Sequence, residues 1–239
     1  MARWEGDPAD DRWLEKAAAS HLRALQEAVQ ADRSAFGLYE ASCAAGERLA
    51  GILDALATEG TASRDALTIR LVTEVGGNGG TLADAAVRRA AAATVDDVLR
   101  RKPELDGAML GQGSGGGLTW DILCDLYQVF FADIVGEFLK ATVAEHVKLA
   151  APVLLAVDPE DRVADWVAEK LVDLVPNPCE ESAEATELAE AAATAQSVAD
   201  AVEDPVGALS DMARSLVPRA VGSVLGLISG MAADEEDAA

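Results

Sequence analysis

Four acidic residues at helical spacing are the strongest candidates for chemistry in this sequence. They form two pairs, each four residues apart, within the most hydrophobic stretch of the chain: Asp121 and Asp125, then Asp133 and Glu137. Residues four apart lie on one face of a helix, where paired carboxylates can hold Mg²⁺ or Mn²⁺. One carboxyl group of a pair can also act as a general acid and the other as a general base, when burial gives the two different pKa values. The competing interpretation is the solvent-facing stripe of an amphipathic helix.

The two histidines do not extend this carboxylate set into a di-metal site. Helical bundles that bind two metal ions add a Glu-x-x-His pair. Neither His21 nor His146 has a glutamate three residues before it. A metal site would therefore depend on carboxylates alone. A histidine in the last turn of a helix, as expected for His146, is also favoured by the helix dipole without any catalytic role.

A glycine-rich loop at residues 111–117 has the G-x-G-x-x-G spacing of a dinucleotide-binding loop. That loop requires a preceding strand, which the sequence does not predict, and a P-loop requires a lysine that this segment lacks. Like the shorter glycine segment at 76–80, it is expected to be a linker or a mobile lid. We therefore predict no cofactor.

A glycine repeat near the C-terminus is the most informative local pattern. Gly222, Gly226 and Gly230 recur at every fourth residue, with Val224 and Leu227 between them. On a continuous helix such glycines form a flat groove that another backbone can approach closely. Each glycine inside a helix costs about 1 kcal/mol relative to alanine, so packing must compensate. Close packing within the chain, self-association, docking into a partner and membrane insertion all fit this pattern.

The charge balance narrows the range of partners. The chain has 42 acidic and 19 basic residues, for a formal net charge of −23. Nucleic-acid binding needs a basic surface that releases counterions, and no stretch of this sequence supplies one. We therefore exclude nucleic acid as a partner and disfavour an anionic membrane surface. The acidity itself fits either a salt-rich cytoplasm or ordinary solubility.

The cysteine content and the hydropathy of the chain indicate the cellular compartment of the protein. Cys43, Cys124 and Cys179 are far apart and odd in number, so we predict neither a disulfide framework nor a zinc site. The first residues lack the apolar segment of a secretory signal. The longest uncharged run near the C-terminus, 220–233, is shorter than the roughly 20 residues that cross a membrane. Together these features predict a cytoplasmic protein.

The sequence predicts an all-α fold. Hydrophobic residues make up 50% of the chain but aromatic residues only 4%. Much of the difference is alanine, the strongest helix former. Apolar residues recur at three and four residues, whereas β-branched and aromatic runs are scarce. The stretch 119–150 is apolar over much of its circumference, which is typical of a helix at the centre of a bundle.

Capping residues and prolines divide the predicted helices. Thr61 and Thr81 are expected to cap two of them, and Pro176-Asn177-Pro178 begins the best candidate linker. The expected organisation is a multi-helix bundle over 1–175, a C-terminal helical arm over 182–233 and an acidic tail over 234–239.

The leading functional hypothesis is a non-enzymatic interaction or assembly protein that associates with itself or with a partner protein through its C-terminal helix. The glycine repeat motivates it, together with the lack of a recognisable catalytic constellation. One alternative is a membrane-active protein that inserts the segment 205–233. Another is an enzyme that depends on the four carboxylates and a divalent metal ion.

Overall fold

The computed structural model describes residues 8–59, 63–77, 79–105, 118–150, 159–184 and 205–228. Within these ranges the chain forms eight α-helices and no strand, which confirms the predicted all-α class. In chain order they are α1 (Pro8–Ala31), α2 (Leu38–Glu59), α3 (Arg64–Glu74), α4 (Leu82–Arg101), α5 (Trp120–Ala150), α6 (Pro159–Val172), α7 (178–184) and α8 (Pro205–Val224). Short 3₁₀ turns at Ala35–Gly37 and Pro103–Leu105 precede α2 and follow α4.

Local capping chemistry sets where α3 and α4 begin. The Thr81 hydroxyl accepts from the backbone N–H of Asp84 at 3.1 Å, and the Asp84 carboxylate accepts from the N–H of Thr81 at 3.2 Å. This reciprocal capping box confirms Thr81 as the N-cap of α4. Ser63 caps α3 by accepting from the N–H of Ala66 at 3.1 Å. The cap of α3 is thus Ser63 rather than the predicted Thr61, which lies outside the described residues.

The long helix α5 lies at the centre of the bundle, as its all-round hydrophobicity predicts. It packs against α4 and α6, and makes further contacts with α2 and α8. Its aromatic rings meet edge to face, with centroids 4.9 Å apart for Tyr127 and Phe131 and 5.6 Å apart for Phe130 and Phe131. Gly46 of α2 leaves space for the Phe131 ring, because a Cβ there would lie 2.5 Å from the ring. Interlocking of this kind fixes the position of α5 against α2.

Helix α8 packs its apolar face on α2 inside the same chain. The buried side chains on that face are Leu209, Ala213, Leu216, Val217, Ala220, Val221 and Val224. The buried Tyr127 hydroxyl donates to the carbonyl of Ala213 at 2.9 Å, and the Ser210 hydroxyl donates to the carbonyl of Ala50. Little of the apolar face of α8 is therefore left for another molecule.

Cys124 of α5 and Cys179 of α7 form a disulfide, so the prediction of no disulfide was wrong. The two cysteines are 55 residues apart, and only the tertiary fold brings them together. Helix α7 occupies part of the predicted linker. The Asn177 side chain accepts from the N–H of Cys179 at 2.9 Å, and Pro178 takes the first helical position. Cys43 is a free thiol.

Candidate functional site

A groove runs along α5 between α4 and α6. Both outer helices pack on α5 but make few contacts with each other, so α5 forms the floor and the other two form the walls. Arg100 of α4 and Asp165 of α6 bridge the walls at 3.5 Å, and both side chains are mostly exposed. The groove holds two cavities, which we call the wide end and the narrow end.

The wide end is a cavity of about 290 Å³. It is lined by Val98, Arg101, Lys102, Asp125, Gln128, Val129, Val172 and Asp173. The valines form an apolar base, while the charged side chains surround it. The Lys102 ammonium contacts both carboxylate oxygens of Asp125 at 2.8 Å. This volume is close to the lower limit of pockets that bind small molecules, so it suits a few side chains or a small polar ligand.

Two contacts fasten the chain that follows α6 to the wide end. The Gln128 amide donates to the carbonyl of Val175 at 2.9 Å. One turn earlier on α5, Cys124 forms the disulfide with Cys179. Because Val172 and Asp173 line the cavity just before this attachment, the two contacts fix one wall of the wide end.

Arg101 differs from the other cations around the wide end. Its neighbours on α4 are paired: Arg100 with Asp97 and Asp165, and Lys102 with Asp125. Arg101 is exposed, and its guanidinium forms no ion pair or hydrogen bond with any residue that the structure describes. No described residue therefore occupies its donors, which lie beside an apolar base.

The narrow end is a cavity of about 20 Å³, which has room for roughly one water molecule. Helices α5 and α6 approach closely here, because a Cβ at Gly136 would lie 2.8 Å from the carbonyl oxygen of Ala164. Asp133 of α5 lines the cavity and is only 3% exposed. Its Oδ2 has no hydrogen-bond partner among the described residues. An unsatisfied buried carboxyl oxygen is costly, more so if the group is ionised.

Asp97 of α4 faces Asp133 across the narrow end, and both groups have raised pKa values. Burial raises the pKa of Asp133 well above its ordinary value, the charge of Asp97 raises it further, and Arg101 opposes this. Burial also raises the pKa of Asp97, while Arg100, at 2.6 Å, acts in the opposite direction. A hydrogen bond to Asp133 likewise lowers the pKa of Asp97. The two carboxyl groups therefore share one small cavity and shift each other's pKa.

Glu137 lies one turn beyond Asp133 on α5 and is held by two cations. Its carboxylate is 3.0 Å from Arg89 of α4 and 3.6 Å from Lys140. Its side chain is 13% exposed, so this pairing compensates a largely buried charge. Glu137 therefore lines the narrow end with its carboxylate already in two ion pairs.

The structure separates the four predicted metal-binding carboxylates. Asp121 is exposed, Asp125 is paired with Lys102, Asp133 is buried and Glu137 is paired. At 1.5 Å per residue, Asp125 and Asp133 lie about 12 Å apart along α5. In the described ranges, no group of three or more His, Cys, Asp or Glu side chains is placed to hold a metal ion.

The other predicted sites contribute little to the groove. His21 forms a local hydrogen bond from its ring to the carbonyl of Ala17 at 2.7 Å. The side chain of His146 and the glycine loop at 111–117 lie outside what the structure describes.

The glycine repeat does not lie on one continuous helix, contrary to the prediction. Helix α8 ends at Val224, and Gly226 has a φ of +67°, in the left-handed region that favours glycine. The N–H of Leu227 donates to the carbonyl of Gly222 at 2.8 Å, as in a Schellman motif. Gly222 and Gly226 thus terminate the helix. Gly230 lies outside the described residues.

Sequence reasoning missed Asp97 and Arg101. A signal for both exists on α4, where Ala93, Asp97 and Arg101 recur at every fourth residue and line the groove. This stripe faces the one on α5 that contains Asp133. Nothing in the sequence shows that the two stripes face each other, because that depends on how α4 packs on α5.

No known protein family matches this chain, and no curated protein or solved structure is significantly similar to it. We therefore base its function on the geometry of the groove.

Proposed function

We propose that this chain is a non-enzymatic interaction protein that binds an acidic segment of a partner protein along the groove between α4 and α6. Arg101 carries this proposal: its guanidinium is exposed and unpaired among the described residues, next to the apolar base of the wide end. Arginine is enriched at interface hot spots, and its planar guanidinium can bind a carboxylate through two parallel hydrogen bonds. A partner carboxylate would supply the ion pair that Arg101 lacks among the described residues.

The composition of the wide end supports a protein partner. An apolar base formed by Val98, Val129 and Val172 is surrounded by charged side chains, which matches the apolar centre and polar rim of protein interfaces. The net charge of −23 repels an acidic partner at long range. At physiological salt this repulsion is screened beyond about 8 Å, so the local charge of Arg101 governs the contact.

Association through the C-terminal helix, which the sequence favours, has narrower support. The apolar face of α8 is packed on α2, and Ile228 beyond its end is 50% exposed. Ile228→Lys tests this site better than a substitution of Gly226, because Gly226 is required for the helix terminus. The predicted arm over 182–233 stays part of this second proposal.

The two remaining alternatives have less support. None of the described helices has both the length and the hydropathy needed to cross a bilayer. Insertion of 205–233 would require α8 to leave α2, which exposes the face that α8 now buries. The carboxylate-dependent enzyme depends on four residues that occupy separate environments in the structure.

The experiment is co-purification of the full chain from its native host, followed by calorimetry with the purified partner. Arg101→Glu should weaken binding by at least tenfold, about 1.4 kcal/mol, because it removes the cation and adds a repelling charge. Arg23→Glu, an exposed position on α1, makes the same change of charge and should leave the affinity within about twofold.

Three outcomes would reject the groove as the binding site. Equal affinities for Arg101→Glu and Arg23→Glu would show that any weakening of binding comes from the net charge alone. Loss of binding with Ile228→Lys alone would assign the site to the C-terminal segment. A chain that elutes by itself but has the mass of a dimer in light scattering, unchanged by Arg101→Glu, would indicate self-association elsewhere.

A further inference from the structure

The narrow end brings two carboxyl groups together where water has little access. Asp133 is 3% exposed with Oδ2 unpartnered among the described residues, and it lines a cavity of about 20 Å³ together with Asp97. The two carboxyl groups thus meet at a space with room for roughly one water molecule. Carboxylates accept hydrogen bonds but cannot donate them, so a hydrogen bond between two carboxyl groups requires a proton on one of them.

The geometry points to a proton-dependent contact: Asp97 and Asp133 share one proton, the proton holds α4 against α5, and its loss drives the two helices apart at the narrow end. The charged groups that face this carboxyl pair are Arg100 and Arg101 from α4, Glu137 from α5 and Asp165 from α6. Glu137 is already paired with Arg89 and Lys140, and Arg100 also contacts Asp165. Arg101 is the remaining cation, but it lowers the pKa of Asp133 less than burial raises it. Full ionisation therefore leaves Asp133 buried, with Oδ2 unpartnered among the described residues.

The direction of the pH dependence follows from the raised pKa values. Unfolded aspartates titrate near 3.8, whereas burial raises the pKa of both Asp97 and Asp133 in the folded chain. Between these values the folded chain binds more protons than the unfolded chain, so its stability falls as the pH rises. The stabilising contribution is complete below the unfolded value and is lost as the pH rises through the folded pKa.

The test is urea unfolding of the full chain at a series of pH values between about pH 5 and about pH 9, where unpaired carboxylates stay ionised. The unfolding equilibrium constant of the native chain should rise with pH relative to that of Asp133→Asn. One shared proton gives a relative rise of up to about tenfold per pH unit. Asp121→Asn, at an exposed acid on the same helix as Asp133, is the control and should follow the native chain.

Parallel curves for the native chain and Asp133→Asn would overturn the inference, as would an equal change in slope for Asp121→Asn. If Asp133→Asn does not fold, calorimetry of the native chain alone tests whether the folded chain holds the proton. Over the same pH series, in buffers of different ionisation enthalpy, unfolding should release up to about one proton. No proton release would overturn the inference. Neither measurement involves a partner protein, so the result stands apart from the proposed function.

Discussion

The two ends of the groove are formed by the same three helices but stabilise their carboxyl groups in different ways. At the wide end α4 and α6 leave a cavity of about 290 Å³, and Lys102 and Asp125 form an ion pair beside it. At the narrow end the cavity shrinks to about 20 Å³, and Oδ2 of Asp133 has no hydrogen-bond partner in the part of the chain that the structure describes. Where the helices separate, water and cations can compensate a carboxylate. Where the helices approach closely, protonating the carboxyl group costs less free energy than burying its charge.

The spacing between helices explains this difference better than local charge does. Arg100 and Arg101 lie close enough to lower the pKa values of both aspartates, yet burial outweighs them at the narrow end. Gly136 permits the close approach of α6 that buries Asp133. The chemistry of the groove is therefore set by a glycine and a helix crossing as much as by its ionisable residues.

The largest effect should come from removing the disulfide that fastens the wide end. Opening a crosslink between residues 55 apart costs about 4 kcal/mol in the chain-entropy account, and strain or residual structure lowers this value. Cys124→Ala with Cys179→Ser should lower the free energy of unfolding by up to that amount, seen as a lower urea midpoint. The pH dependence assigned to Asp133 should persist, because the disulfide lies at the other end. Cys43→Ser, at the free thiol, is the control.

The disulfide prediction has two outcomes that would contradict it. An unchanged midpoint in the double variant would show that Gln128 and the packing of α7 suffice to hold this wall. A simultaneous loss of the pH dependence would show that the two ends are not independent.

A smaller effect is expected from closing the gap between α5 and α6. In Gly136→Ala the new Cβ would lie 2.8 Å from the backbone oxygen of Ala164, so the helices must separate at the narrow end. Overpacking of this kind costs about 1–3 kcal/mol. Gly51→Ala on α2 places its new methyl group more than 4 Å from the other described residues and should instead stabilise the chain by about 0.5–1 kcal/mol. Equal stabilities in urea unfolding would disprove the close approach.

Much of the fold could be predicted from the sequence, because it depends on local chemistry. Thr81 and Asp84 satisfy the first N–H groups of α4 within one turn, and the apolar pattern of 119–150 identifies the central helix. Both signals come from residues near one another in the chain. The same local logic located Asp133, although as part of a carboxylate stripe rather than as a buried group.

The groove could not be predicted, because its parts meet only through tertiary packing. Asp97 and Asp133 belong to different helices, and Cys124 and Cys179 are separated by 55 residues. Gly226 shows a different failure. Its four-residue spacing indicates a helical groove, but a glycine just beyond a helix end adopts positive φ and stops the helix. Spacing alone does not distinguish these two uses of glycine.

The smallest effect concerns the ion pair at the wide end. Lys102 is 49% exposed and Asp125 is 14% exposed, so a double-mutant cycle with Lys102→Ala and Asp125→Ala should give a coupling of about 0.2–1 kcal/mol. At about 1 M salt the screening length falls to about 3 Å, and this coupling should largely vanish. The pH dependence of the buried pair at the narrow end should survive the same salt, since buried groups are screened much less. A coupling that persists in salt would mean that the wide end excludes water as the narrow end does. The two ends would then differ only in the volume of their cavities.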